Sequence, residues 1–431
     1  MQAFLAELGP GALVLGGRCY ERESVPYNAL EGVMEGLIAR LRDDPDSVDA
    51  ALSQAVTTLT RLFPALGAVP GILPARNRSG PIAIDPWEVR RAAAAGLRAL
   101  LHRVARGLPV VIALDDLHWA DADSAELLRE LFRPGSFGSL QLILSFRPEG
   151  RTGSPCVRAL LDADLGLEPH AIDLAPLPPD ACAALATLSL GRDDPEAARR
   201  VAAESLGNPF FVQELGRHLL EAGPLAPRLS LDDVVRARVA RVPESARRLV
   251  ELVALSGGAL PASVAFRAVG AADAYASLSV LRSGSLVRSL GEDGALLVTF
   301  HDRVREAIVA GLAPSDACAA HARLALAWEA ERDPEPEVLY THHLAAGSSE
   351  RAAHYVALAA RRASEALAFD NAARLYRRAL ELGRHDPDAR RGLHRELALA
   401  LAGAGRGRES AEAWLSAATG AAADERVDCE R

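Results

Sequence analysis

Lysine is absent from this 431-residue chain, so all 48 of its positively charged side chains are arginine. Any mechanism that needs a side-chain ammonium is excluded within the chain. That removes a complete G-x-x-x-x-G-K-[ST] phosphate loop, a protein kinase with its strand lysine, and Schiff-base chemistry. Cysteine is also scarce: Cys19, Cys156, Cys182, Cys318 and Cys429 are far apart and form no C-x-x-C pair. This excludes a disulfide frame or a zinc site of the usual spacing and reads as a reducing compartment. No apolar run approaches the roughly 18 residues that span a bilayer. The N-terminus, MQAFLAELGPGALVLGG, has no basic leading region and reaches Glu7 early, so it does not read as a signal peptide. The expectation is a cytoplasmic protein without a membrane segment. Positive charge is in deficit too, with 48 basic against 57 acidic residues and a formal charge of -9. Such a balance supplies no global field for nucleic acid, which disfavours it as a partner.

What is present is a foldable composition, 49% hydrophobic and 24% charged, over a length that at about 100 to 200 residues per domain predicts two to four domains. Residues 1–175 alternate short apolar runs with helical patterns, as an α/β domain does. Leu13 to Gly16, Val110 to Asp115, Leu140 to Phe146 and Ala171 to Leu174 are strand candidates, the first three as buried parallel strands. Helical patterns cover Ala29 to Arg42, Val48 to Leu62 and Trp87 to Arg106, and the Pro- and Gly-rich stretch from Phe63 to Asp85 reads as a loop. After Pro176-Leu177-Pro178-Pro179 the β signal fades. Residues 176–228 read as a small helical subdomain. Residues 229–312 combine helices with a hairpin around Gly291-Glu292-Asp293-Gly294, the order of a winged helix. Residues 313–431 are Ala-rich and helical, and Ala352 to Ala366 followed by Asn371 to Leu382 looks like one unit of a repeat with a period near 34 residues. A solenoid of the tetratricopeptide kind accounts for that spacing, with a generic Ala-rich bundle as the alternative.

The segment VVIALDDLHWADADSAELLREL, residues 110–131, is the strongest local signal. A buried parallel strand that ends in two carboxylates sets Asp115 and Asp116 at the sheet end where α/β folds bind ligands. Asp115 is a candidate for holding Mg²⁺ through its hard oxygens, usually by way of water. Asp116, one residue further out, could orient or deprotonate an attacking water. The competing reading is an Asp-Asp turn with Asp123 capping the next helix. His118 and Trp119 directly after the carboxylates favour the functional one. His342, His343 and His354 lie on Ala-rich helices without a carboxylate or cysteine cluster and read as helix-face residues.

LDDLHWADADSAELL resembles the Walker B segment of bacterial signal-transduction ATPases with numerous domains, a branch of the AAA-related P-loop ATPases. The resemblance continues in order along most of the chain. GGRCYERESVPYNALEGVMEGL, residues 16–37, is similar to the strand and helix that follow the P-loop helix. LQLILSFRPEG is similar to the strand with a terminal sensor arginine, here Arg147. SLGNPFFVQEL resembles the lid motif whose Gly207, Asn208 and Pro209 lie against adenine. FHDRVREAIVAGL resembles the winged-helix motif with a nucleotide-facing histidine, His301. The resemblance implies an α/β, incomplete P-loop ATPase-like parallel sheet followed by an all-α helical lid, a winged helix and helical repeats. It further implies ATP/ADP and Mg as cofactors, protein partners on the repeats, and room for a homo-oligomer.

The departure from that family is its missing first strand and phosphate loop, with Met1 falling just after the place they would occupy. Nucleotide binding and hydrolysis are therefore expected to be weak in the chain as it stands. Either the β-strands near 140 and 171 close together over the gap or the domain is incompletely folded alone. The alternatives are a non-catalytic protein-interaction scaffold with a vestigial nucleotide domain, or a fragment of a larger ATPase or serine-threonine kinase regulator whose P-loop lies upstream. A DNA-binding winged helix is a further idea that the negative charge opposes.

Overall fold

The computed structural model describes residues 1–431 apart from 22–24, 45–47, 73–85, 134–138, 223–230, 271–273, 292–293, 384 and 420–431. The latter half of the expected loop at Phe63 to Asp85 and the Glu292-Asp293 turn thus lie outside the described residues. The chain divides into two compact units, one made of residues 1–167 with 333–431 and the other of residues 168–332.

In the first unit the predicted apolar runs become a three-stranded parallel sheet in the order β1-β2-β3, with β1 at Leu13–Arg18, β2 at Val110–Asp115 and β3 at Leu140–Leu144. Val110 to Leu114 are all buried, as a run of apolar and β-branched residues requires of a strand covered on both faces. The register pairs Leu13 with Val110 and Arg18 with Asp115, then Val110 with Leu140 and Leu114 with Leu144. Helix Asn28–Asp43 packs its Ala29, Leu30, Val33, Leu37 and Leu41 stripe on the sheet. Its approach is close enough that a Cβ at Gly32 would come within 2.7 Å of Gly16 O and 2.8 Å of Gly17 Cα. Helices Pro86–Ala105, Ala122–Leu131 and Pro155–Leu161 complete the layers.

The fourth strand candidate does not form. Residues 171–174 carry no strand, and Ile172 and Leu174 are 83% and 93% exposed. Only six residues separate Pro169 from Pro176, and neither proline can donate to a ladder. The segment therefore does not close over β3, which stays an edge strand of the described sheet with its residues half-buried or exposed.

Residues 333–431 of the same unit are helices Pro336–Ala345, Ser349–Glu365, Phe369–Leu382, Pro387–Gly403 and Gly407–Ala418, each packed on the next. Small side chains such as Ala352, Ala359, Ala363, Ala372 and Ala379 are buried between them, which lets consecutive helices approach as a repeat array requires. His342 and His343 are buried rather than on an open helix face, and the His343 ring stacks on Tyr355 at 5.4 Å. The sequence pattern misses this because an Ala-rich helix buries more than one face when it lies between two others.

The second unit opens with helices Pro179–Leu190, Pro195–Glu204 and Pro209–Ala222. Helices Leu231–Arg241 and Glu244–Ser256 lead into β4 at Leu260–Pro261, and β5 at Val287–Leu290 pairs antiparallel with β6 at Leu296–Thr299. The second sheet has the order β4-β6-β5, with β5 and β6 on either side of the hairpin signal.

Candidate functional site

The β2 carboxylates sit where the continuous burial of the strand ends. Asp115 is the last residue of β2 and is half-buried, and Asp116 leaves the strand with φ 55° and ψ 37°. That left-handed conformation is uncommon for a residue with a side chain and is best tolerated by Asp and Asn. Helical turn Leu117–Trp119 follows, and Asp121 caps helix Ala122–Leu131 by accepting from Ser124 N at 2.5 Å.

Two residues without a motif signature set the carboxylates' positions. Ser145, one step beyond β3, donates its hydroxyl proton to the Asp115 carboxylate and accepts from Asp116 N at 3.1 Å. Its backbone closes the same corner, donating to Leu114 O at 3.0 Å and accepting from Leu117 N at 2.8 Å. Arg18, the last residue of β1, places Nε 3.0 Å and Nη2 2.9 Å from Asp116 Oδ2. The β1–β2 register predicts this once the strands are known, because Arg18 lies opposite Asp115. Nothing in the isolated sequence marks either residue. Arg147 follows Ser145 by two positions and is half-buried; Asp115 ends β2, Asp116 follows it, and Arg147 lies three residues beyond the adjacent β3.

Behind this rim the same loop reaches into the core. Asn28 N donates to Asp121 Oδ2 at 3.0 Å, Asn28 Nδ2 to Trp119 O at 3.1 Å, and Asp121 N back to Asn28 Oδ1 at 3.1 Å. Burial raises the Asp121 pKa above the ordinary carboxylate value, against the opposing pull of these amide donors. Asp123 does not cap its own helix. It is fully buried and accepts from Asp370 N at 3.3 Å and Asn371 N at 3.0 Å on the first turn of helix Phe369–Leu382. Burial, reinforced by the Asp121 carboxylate, pushes Asp123 up to about 7. His118 packs its Cβ where any side chain on Gly150 would collide at 2.5 Å, and its ring lies 4.8 Å from that of Trp119. The two residues therefore shape the turn as well as follow the carboxylates.

Gly207, Asn208, Pro209 and His301 all lie in the second unit. Gly207 has φ 81°, and a Cβ there would stand 2.5 Å from Pro176 Cβ, while its carbonyl accepts from Leu177 N at 2.8 Å. Asn208 Oδ1 accepts from Phe211 N at 3.2 Å and caps helix Pro209–Ala222. Phe210, next to Pro209, stacks on the His301 ring at 4.2 Å and 11°. This brings the Gly-Asn-Pro segment and His301 together. His301 Nδ1 also accepts from Arg303 N at 3.1 Å, capping helix Asp302–Gly311.

Residues 1–144 match the AAA ATPase domain family. No curated protein matches the chain. Among solved structures, the chain is similar to the signal transduction ATPase with numerous domains (STAND) protein with a tetratricopeptide repeat sensor from Pyrococcus horikoshii. That similarity has 12% identity and a TM-score of 0.47, and it covers 100% of this chain and 67% of the other. The parallel sheet, the carboxylates at the end of its central strand and the match to the AAA ATPase domain family coincide over one stretch of sequence, residues 1–144.

Proposed function

We propose that the chain is the regulatory module of a signal-transduction ATPase, a switch that responds to ATP or ADP and acts on protein partners through residues 333–431. The observation that carries the reading is the carboxylate pair at the end of β2, held by Ser145 and Arg18 beside Arg147. The Asp115 and Asp116 oxygens are the hard donors that a hydrated magnesium ion prefers, so the metal fits this corner. Bound there, the ion would supply charge neutralisation for phosphate oxygens. Asp115 would hold it, Asp116 would orient water, and Arg147 would read phosphate charge by paired hydrogen bonds.

The phosphate grip itself does not fit. The sequence has no lysine and no G-x-x-x-x-G-K-[ST] loop, so residues 1–431 are expected to turn over ATP negligibly. Titration with labelled ATP and ADP tests the reading. Micromolar binding supports a nucleotide switch, while no binding up to millimolar overturns it in favour of a protein-interaction scaffold. That second reading is favoured by one observation, the engagement of Asp116 by Arg18. Within this reading Gly207, Asn208, Pro209 and His301 would contact the adenine and diphosphate, and the setting would be cytoplasmic.

A further inference from the structure

The contact between the carboxylate strand's helix and the helical tail is built from groups that are costly to bury. Asp123 is fully buried and Arg90 is 3% exposed, and they pair at 3.5 Å, the long end of an ion pair. Arg90 Nη2 also donates to Leu367 O at 3.2 Å, its guanidinium lies 5.4 Å from the Phe369 ring centre, and its Nε is buried without a hydrogen-bond partner. The Leu367 carbonyl accepts a second bond from the fully buried Tyr27 hydroxyl at 2.8 Å. Leu367 itself has φ 60°, a strained value for leucine. The residue before helix Phe369–Leu382 is Ala368, which cannot cap it, and Asp123 supplies the missing acceptor from another part of the chain. A buried network left partly unsatisfied carries a desolvation cost that its remaining bonds must offset.

The network is tied to the site through Tyr27 and Asp123. Tyr27 and Asn28 start the helix that follows β1 and Arg18, and Asn28 is bonded to Trp119 and Asp121 in the loop directly after Asp116. We propose that Asp123, Arg90 and Tyr27 form a latch that docks the Leu367–Asn371 turn onto helices Ala122–Leu131 and Pro86–Ala105 and the start of helix Asn28–Asp43, so that release of the tail and loosening of the 117–124 segment are one event. The inference does not depend on nucleotide binding, and its failure would leave the proposed function standing.

The latch has a built-in pH response whose sign follows from the surroundings of Asp123. Arg90 faces it from helix Pro86–Ala105, Asp121 from its own helix cap, Tyr27 from the start of helix Asn28–Asp43 and Asp370 from the tail. Glu337, bonded to Asn371 and paired with Arg374, lies one step further away and is itself raised by burial. The docked Asp123 holds its proton up to about 7, whereas an undocked carboxylate releases it near 4. Docking therefore binds a proton in that interval. The contact is tightest below the lower value, loosens as pH rises through the window and levels off above it.

Hydrogen exchange of the full chain, corrected for intrinsic rates, tests the latch. Opening at residues 367–372 and at 117–124 is expected to rise together by about tenfold or more from pH 5 to pH 7, the size expected when one proton's affinity differs by several pH units. Asp123→Asn is expected to flatten that rise in both segments. Tyr27→Phe, which removes one hydroxyl and no charge, is expected to speed exchange in both segments while keeping the pH dependence. Opening of one segment without the other in Tyr27→Phe, or an unchanged pH profile in Asp123→Asn, would overturn the proposal.

Discussion

Ser145 and Arg18 both hold the carboxylate pair, but their contributions differ in kind. The Ser145 hydroxyl is donor to Asp115 and acceptor from Asp116 N at once, in a corner that is half-buried. Ser145→Ala strands both groups and is expected to cost about 1–3 kcal/mol in urea unfolding of the full chain. Arg18→Met breaks an ion pair that is still partly in solvent, at 27% and 19% exposure. It is expected to cost under about 1 kcal/mol and to fade with salt. The reverse ranking would mean that Asp116 is held by charge and not by the serine. Gly207→Ala is expected to lower the melting temperature of the full chain, with a cost of about 1–3 kcal/mol, because the new methyl meets Pro176 while φ stays positive. Asp115 and Asp116 were legible in sequence because a β-strand pattern ending in two carboxylates is local. Ser145 and Arg18 were not, because their relevance arises from the parallel register, which pairs residues about 30 and 98 positions apart.

Among the elements, the strands show what local pattern can and cannot specify. Val110 to Asp115 is recovered to the residue, and helices expected at Ala29 to Arg42 and Trp87 to Arg106 form with ends shifted by a residue or so. Ala171 to Leu174 is a short apolar run with one carboxylate, as a strand can be, yet a strand exists only if an edge is available to it, and no four-residue pattern reports that. The same logic separates β2 from β3. Leu114 is fully buried in the central strand, whereas Leu142 is half-buried on the edge. Leu114→Ala is expected to cost about 2–5 kcal/mol, and Leu142→Ala distinctly less. Denaturation midpoints of the two variants compare them directly, and equal losses would argue that β3 is covered in solution. The capping of helix Phe369–Leu382 by Asp123 was likewise out of reach, since a sequence reading assigns a cap to the helix that carries it.

At the scale of the whole molecule, the charge arithmetic and the architecture answer different questions. A formal charge of -9 gives little electrostatic attraction for DNA, so the full chain is expected to show no salt-sensitive gel shift with duplex DNA, even though its second unit carries a helix-rich fold with an antiparallel hairpin. A shift that weakens steeply with salt would show that local arginine clusters outweigh the net charge. The division into units was only partly legible. The order of sheet, helices, hairpin and helical repeats was read from composition and pattern. That residues 333–431 pack with residues 1–167 rests on contacts between distant side chains that no local signal carries.

The bond from Tyr27 to the Leu367 carbonyl spans 340 positions, and this has a consequence for how the chain is made. On a ribosome, residues 1–167 emerge before residues 168–332, so the first unit cannot be completed until the whole second unit has passed through the exit tunnel and residues 333–431 follow. Through that interval Tyr27, Arg90 and Asp123 wait without their counterpart. Nascent chains are therefore expected to stay sensitive to protease in the 117–124 segment until translation has passed residue 371 by a tunnel's length, and then to become resistant in one step.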